Sequence, residues 1–178
     1  ETHDLIAPAR ERWQTLTLVH RGETVTLDGI GFAAIGRLQL LEILQTQACT
    51  AGVELLYGRR IENIGALGAD LIIGADGLNS IVRAADPIGF GETLGAFDNR
   101  FAWFGTKRPF ATLTQTFIET PHGAMNAHHY RYAPDMSTFI VEADPQTFSG
   151  LGLADTNEAR SAAICAQLFA DALDGAPL

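Results

Sequence analysis

The sequence is short of positive charge and of long apolar runs. Its 12 lysine and arginine residues stand against 21 aspartates and glutamates, which gives a formal net charge of −9. A chain this acidic has no basic stripe with which to neutralise nucleic-acid phosphates or to bind an anionic membrane surface. No apolar run is long enough for a transmembrane helix, and no signal peptide is visible. We therefore expect neither a nucleic-acid partner nor a membrane partner.

Metal-binding patterns are also missing. Cys49 and Cys165 stand far apart, without the spacing of a zinc site or of a disulfide framework, so we expect a reducing, cytoplasmic compartment. His122, His128 and His129 have no carboxylate or cysteine at ligand spacing nearby. If residues 128 and 129 lie on a strand, their side chains point to opposite faces and cannot share one ion. The sequence thus predicts no metal site.

The first half of the chain mixes strand and helix patterns. Trp13 to His20 alternates as a strand, Arg21-Gly22 forms a turn, and ETVTLD returns as the second strand of a hairpin. Apolar residues at helical spacing in IGRLQLLEILQTQACTAG predict a helix that ends at Gly52. The runs VELLYG and LIIG predict two further strands, and a helix follows the second of them.

The second half changes character. FAWFGTKRPF, TQTFIE, GAMNAHHYRY and STFIVEA are strand-like runs separated by turn residues, which predicts an antiparallel sheet. A helical tail follows, with Asp155 and Glu158 at capping-box spacing and a stop at Gly175 and Pro177. We expect an α/β fold with α+β character, divided into residues 1–90, residues 91–145 with the antiparallel sheet, and a helical tail over residues 146–178.

Residues 71–83, LIIGADGLNSIVR, bear the main functional signal. An apolar run leads into a turn that Gly74 and Gly77 enclose, and helical spacing begins after it. Glycine lets a ligand approach the backbone closely, and the N–H groups of a first helical turn favour an anion such as a phosphate. An aspartate at this place, here Asp76, can accept hydrogen bonds from a ribose. The residues alone leave open a strand-to-helix turn that binds no ligand.

A second glycine pattern offers an alternative cofactor site. Residues 29–34 match GxGxxA, with Glu54 about twenty residues further on, as in dinucleotide-binding proteins. We favour an ordinary loop, because the preceding strand alternates and ends in Asp28. The helix also begins too late, near Ile35 or Gly36, for Gly31 to hold a phosphate at its start.

Two motifs resemble those of one enzyme family. LIIGADGLNSIVR is similar to the DG motif of the FAD-dependent aromatic hydroxylases, the flavoprotein monooxygenases of the para-hydroxybenzoate hydroxylase type. AIGRLQLLEIL resembles the arginine-bearing helix of that family. The second half, including FAWFGTKRPF and HGAMNAHHYRYAPDMSTFIVEA, resembles the branch that acts on aromatic coenzyme A thioesters, of which salicylyl-CoA 5-hydroxylase and 2-aminobenzoyl-CoA monooxygenase are members.

The resemblance implies a function and its cofactors. It implies that residues 1–90 are part of the FAD-binding domain of an FAD/NAD(P)-binding fold. It also implies an enzyme that hydroxylates an aromatic ring, with NADH or NADPH and O2 as co-substrates and an aromatic coenzyme A thioester as substrate. The residues it places near the cofactor are Arg37, Gly74, Asp76, Gly77, Ser80 and Arg83. The N-terminal GxGxxG and the later Gly-Asp motif of the family are absent, so we expect a central fragment whose partner is the remainder of a parent chain.

The substrate side of the site is less defined. By resemblance the sheet of the second half forms the roof of the substrate site, with Trp103, Phe104 and Tyr130 as aromatic candidates. Arg100, Lys107, Arg108 and Arg131 are candidates for a coenzyme A phosphate or simply surface charges. No acid–base pair or nucleophile stands out, and no catalytic residue is assigned, because the flavin itself performs such chemistry. The alternatives are a non-catalytic α+β binding module and another flavin enzyme of the same fold, such as a halogenase or a reductase.

Overall fold

A six-stranded mixed sheet forms the centre of the fold. The computed structural model describes residues 2–178. The strands are β1 (Glu11–His20), β2 (Glu23–Ala34), β3 (Arg100–Thr106), β4 (Leu113–Thr120), β5 (Gly123–Ala133) and β6 (Met136–Ala143). They lie in the order β2-β1-β4-β5-β6-β3, and all neighbours are antiparallel except β1 and β4, which run parallel. The predicted α/β fold with α+β character is confirmed.

The helices are short apart from two. They are α1 (Thr2–Ile6), α2 (Arg37–Thr50), α3 (Ile81–Ala85), α4 (Pro145–Gly150), α5 (Glu158–Leu168) and α6 (Ala170–Leu173), with 3-10 turns at Ala7–Ala9 and Ile64–Leu67. The predicted cap of α5 at Asp155 is wrong. Asn157 holds that position, and its side chain accepts a hydrogen bond from the N–H of Arg160. Among residues 2–178, none of the helices combines the length and the apolar character needed to cross a bilayer.

The predicted hairpin and the helix after it are both present. Arg21 and Gly22 have φ of 51° and 78°, the paired positive values of a tight turn that matches the twist of the two strands. The hairpin belongs to the same sheet as the four strands of the second half, so that sheet is larger than predicted. The GxGxxA run lies inside β2, so it is neither a strand-to-helix phosphate loop nor the ordinary loop that we predicted, and α2 begins only at Arg37.

Two predicted strands do not form. Residues 53–58 and 71–73 have no strand partner among the described residues, and the side chains of Leu71 and Ile73 are 77% and 81% exposed. The prediction of a strand buried on both faces is therefore wrong for this chain. The reason is physical, since a strand is completed by ladder hydrogen bonds to a neighbour, and the six strands of this sheet all lie elsewhere.

The hydrophobic core lies on one face of the sheet, here called the back face. Met125, Ala127, Phe139 and Val141 point to it from β5 and β6 and pack against α4 to α6 through Phe148, Cys165, Phe169 and Leu173. The opposite, front face bears Trp103, Tyr130 and Thr138, which alternate with the core residues along their strands. His128 and His129 lie on opposite faces, as predicted. Residues 2–178 contain no group of three or more side chains suited to hold a metal ion.

Candidate functional site

The DG segment forms a capped turn that begins α3. One oxygen of the Asp76 carboxylate accepts a hydrogen bond from the Ser80 hydroxyl at 2.6 Å, and the other accepts from the Ile81 N–H at 2.7 Å. Ser80 is the N-cap of α3, and its Oγ accepts from the Arg83 N–H at 3.1 Å. Five of the six predicted cofactor residues are thus brought together here: Gly74, Asp76, Gly77, Ser80 and Arg83.

The hydrogen bonds of this turn favour an ionised Asp76. The Ser80 hydroxyl is the largest influence and lowers the pKa of the Asp76 carboxyl, and the backbone N–H of Ile81 acts in the same direction. Arg83 also stabilises the turn, because its guanidinium donates hydrogen bonds to the Glu92 carboxylate and to the carbonyl of Leu78. The turn is therefore an exposed, anionic and internally braced structure.

The two glycines of the motif have different reasons to be there. A Cβ at Gly74 would come within 2.6 Å of the Cβ of Val82, so only glycine lets the chain pass this close to α3. Gly77 has φ of +81°, which L-residues seldom adopt, and a Cβ there would meet no atom within 4 Å. The first glycine serves packing, and the second serves the turn of the backbone.

Arg37 lies in a different place, at the start of α2. The guanidinium is exposed and forms no hydrogen bond or ion pair within residues 2–178, and none links it to the DG segment. Gly36, the N-cap, supplies no side-chain cap, so the first N–H groups of this helix have no side-chain partner at the cap. An unpaired cation thus stands beside the positive end of a helix of 14 residues.

This helix start forms one wall of an open cavity of about 630 Å³ on the front face. The opposite wall consists of Trp103, Tyr130, Tyr132 and Thr138. Tyr132 packs over Gly36, where an added Cβ would lie 3.6 Å from the tyrosine ring. The volume is in the range of sites for small molecules, and the aromatic lining suits a flat ring.

The aromatic wall is held by its neighbours. The Nε1–H of Trp103 donates a hydrogen bond to the Thr138 hydroxyl, which is 4% exposed, although Trp103 itself is 66% exposed. Trp13 and Phe32 contact the Tyr130 ring edge-on, with centroids 6.2 and 5.3 Å away. Partial burial raises the pKa of the Tyr130 phenol.

The sequence prediction found part of this wall. Of the three aromatic candidates, Trp103 and Tyr130 line the cavity, whereas Phe104 points to the back face and packs against the core. Tyr132 and Thr138 were missed. The spacing of Tyr130 and Tyr132, two residues apart on a predicted strand, was the available signal for Tyr132. No local pattern identified Thr138.

Two of the four cations proposed for a phosphate are already paired. The Arg108 guanidinium lies 3.2 Å from the Asp174 carboxylate, and Arg131 lies 2.7 Å from the Glu11 carboxylate. Arg100 donates to the carbonyl of Asp98 at 2.8 Å. None of the four lines the front cavity.

Comparison with known proteins shows the relatives of this chain. It is 31% identical over 175 residues to salicyloyl-CoA 5-hydroxylase of a Streptomyces species, and 32% identical over 166 residues to 3-hydroxy-4-methyl-anthranilyl-[aryl-carrier protein] 5-monooxygenase of Streptosporangium sibiricum. Each match covers 93% of this chain, but only 34% and 43% of the two relatives. The chain thus spans a third to somewhat under a half of their length. No family model matches it.

Solved structures agree on the fold. PqsL of Pseudomonas aeruginosa, in complex with 2-aminobenzoylacetate, superposes with a TM-score of 0.60 at 14% identity, covering 93% of this chain and 55% of PqsL. A triple mutant of the flavin-dependent brominase Bmp2 superposes with a TM-score of 0.56 at 13% identity, covering 98% of this chain and 50% of Bmp2. The resemblance predicted from the DG motif is confirmed: the chain is similar to about a third of salicyloyl-CoA 5-hydroxylase and to under a half of the aryl-carrier-protein monooxygenase, and it shares the fold of PqsL and Bmp2.

Proposed function

We propose that this chain is part of an FAD-dependent monooxygenase that hydroxylates an aromatic ring, with NADH or NADPH and O2 as co-substrates. The observation that supports this most is the front cavity. It joins an aromatic wall to an unpaired arginine at the start of a helix. This combination suits a flat ring on one side and an electron-rich or anionic group on the other.

The residues present fit a bound FAD. At α2, the free guanidinium of Arg37 and the uncapped helix start form a set of donors for the polar edge of a flavin or for a phosphate. In the DG turn, the exposed Asp76 carboxylate has lone pairs beyond its two internal bonds with which to accept from a ribose. Gly74, Gly77, Ser80 and Arg83 would hold that carboxylate in place rather than touch the chemistry.

The reaction needs little acid–base chemistry from the protein. When bound, reduced FAD would supply the activation of O2 for transfer of one oxygen atom to the ring. Trp103, Tyr130 and Tyr132 would position the ring and exclude water from one side of it. Arg37 would provide positive potential near electron density that builds up on the flavin.

The substrate class comes from the two curated relatives. Their names describe one hydroxylase of a coenzyme A thioester and one monooxygenase of a carrier-protein-bound anthranilyl group. We propose an aromatic acyl thioester, with the coenzyme A form as the first to test. The exposed apolar residues around 71–73 would pack against the remainder of a parent chain. The cytoplasmic location stays a prediction of the cysteine pattern.

The test is FAD-dependent NAD(P)H consumption by the full-length protein with and without aromatic thioesters. We expect salicylyl- or 2-aminobenzoyl-CoA to stimulate consumption and to yield a hydroxylated product, while the free acids do neither. Trp103→Ala should raise KM for the thioester about tenfold. Phe101→Ala, which removes an exposed aromatic residue from the same strand outside the cavity lining, is the matched control and should leave KM unchanged. No consumption and no flavin binding would reject the proposal.

One observation favours the non-catalytic alternative. Both carboxylate oxygens of Asp76 already accept hydrogen bonds inside the turn, as a purely structural aspartate would. A protein that binds no flavin would agree with that alternative. The halogenase alternative differs in its product, because added bromide or chloride would then appear on the ring in place of a hydroxyl group.

A further inference from the structure

A second cavity, of about 550 Å³, lies on the back face of the sheet and has no part in the proposed hydroxylation. Helices α4 to α6 cover the back face over β5 and β6, and the cavity opens where this cover ends, beside β4 and the end of β1. Its floor is apolar, with Val19, Phe110, Ile118 and Phe169 among its lining residues.

The half-buried cation of the cavity is Arg108. Its guanidinium lies over the Phe110 ring, 5.5 Å from the ring centroid, and its side chain is only 31% exposed. Its partner is the Asp174 carboxylate at 3.2 Å, and that side chain is 85% exposed. An ion pair with so exposed a carboxylate is weak, so a carboxylate bound inside the cavity would compete for the guanidinium.

The polar part of the wall is a buried histidine. His129 is 2% exposed and hydrogen-bonds Thr116 through Nε2 at 3.0 Å, while its Nδ1 has no partner in the described part of the chain. Its ring stacks on the Phe139 ring, with 4.9 Å between the ring centroids, and contacts the Phe110 ring, with 4.0 Å between the centroids. Deep burial of an imidazole with one unpartnered nitrogen is unusual for a surface that serves packing alone.

The rim adds charge of both signs. Arg21 pairs with Glu119 at 2.5 Å at the edge of the cavity, and Asp171, in the first turn of α6, also lines it. Arg21 and Glu119 are 69% and 61% exposed, so they form a solvated edge rather than an anchor. The anchoring charge is therefore the half-buried Arg108.

We propose that this cavity binds a small aromatic carboxylate, with its carboxylate on Arg108 and its ring against the phenylalanines of the floor. The ligand would displace Asp174 from Arg108 and leave the front cavity free. The proposal does not depend on the proposed function, because it uses the opposite face of the sheet.

The test is calorimetric titration of the full-length protein with 1-naphthoate, and with the neutral 1-naphthamide of the same shape. We expect 1-naphthoate to bind at least tenfold more tightly than the amide. Arg108→Gln should remove this preference and weaken 1-naphthoate binding about tenfold. Arg131→Gln is the matched control, since Arg131 has 34% exposure and a carboxylate partner but does not line the cavity, and it should change nothing.

Asp174→Asn tests the same site by an expected gain in affinity for 1-naphthoate. Asparagine tolerates the left-handed backbone at this position, where φ is 52°, and it removes the charge that competes for Arg108. We expect 1-naphthoate to bind about threefold more tightly to this variant, whether or not Arg108→Gln folds. Equal affinity for acid and amide, no effect of Asp174→Asn, or loss of binding on Trp103→Ala in the front cavity would each overturn the proposal.

Discussion

The Asp76 carboxylate and the Ser80 hydroxyl are joined by a 2.6 Å hydrogen bond across the DG turn. The bond spans four residues and ties the loop to Ser80, the N-cap of α3. Asp76 therefore supports the start of the helix and also fixes the shape of the turn before it. The turn is braced in this way without any ligand, and a bound cofactor would meet a carboxylate that is already oriented.

The first prediction concerns the ionisation of Asp76. Ser80→Ala removes the hydrogen bond that does most to lower the pKa of Asp76, so that pKa should move up toward its usual value of 3.8. Because the folded-state pKa is the lowered one, the turn gains stability above pH 3.8 and loses it as pH falls through the folded value. Carboxyl carbon NMR titration measures the shift. Asn79→Ala is the control, and an unmoved pKa in Ser80→Ala would contradict the account.

The second prediction concerns Gly74. Gly74→Ala should destabilise the turn by about 1 kcal/mol, because its Cβ would lie 2.6 Å from the Cβ of Val82. Val82→Ala leaves that same Cβ in place but removes the methyl groups that crowd it, so the double variant should recover only part of the loss. Gly31→Ala, which meets no atom within 4 Å and has no positive φ, is the control. Hydrogen exchange of the α3 amides reports the local stability, and equal exchange in both glycine variants would refute the packing role of Gly74.

The third prediction concerns pH and His129. Burial, with smaller contributions from Arg108 and His128, lowers the pKa of this imidazole to about 3. The unfolded chain takes up the proton near pH 6.5, so the folded state should lose stability as pH falls from 6.5 toward 3, by at most about 1.4 kcal/mol per pH unit. Denaturant unfolding across this range measures the slope. His129→Phe should reduce the slope, while His128→Gln on the other face, which removes only one of the smaller contributions, should reduce it much less.

The fourth prediction compares two phenylalanines. Phe139 is fully buried and contacts His129, Phe110 and Phe169, whereas Phe97 is 94% exposed. Phe139→Ala should cost about 3–5 kcal/mol of unfolding free energy, which is a large share of the stability of a single domain. Phe97→Ala should stay within about 0.5 kcal/mol. Urea denaturation of both variants measures the loss of unfolding free energy. Similar losses in the two variants would mean that Phe139 is not part of the core.

Much of the local structure could be predicted from the sequence, because its causes lie within a few residues. The turn at Arg21-Gly22, the end of α2 near Gly52 and the alternation in β3 to β6 all follow from backbone preferences and periodicity. The resemblance of the DG motif to that of the aromatic hydroxylases likewise depended on one short segment, residues 71–83, whose turn is formed by neighbouring residues.

What the sequence could not show depends on partners far along the chain. The pattern of Leu71 to Ile73 is that of a buried strand, yet it forms none, because no described strand lies beside it. Arg37 and the DG turn, matched as one cofactor set, stand apart without a direct bond.

The sequence by itself therefore determined the hairpin, the main helix, the glycine-enclosed DG turn and the family resemblance, since each arises from neighbouring residues. Only the tertiary structure decided that β1 lies parallel to β4, that Trp103, Tyr130 and Tyr132 meet the start of α2, and that His129 is buried beside Phe110 and Phe139. The physical reason is that these contacts form when the sheet brings distant segments together, and no local preference encodes which strands will be neighbours.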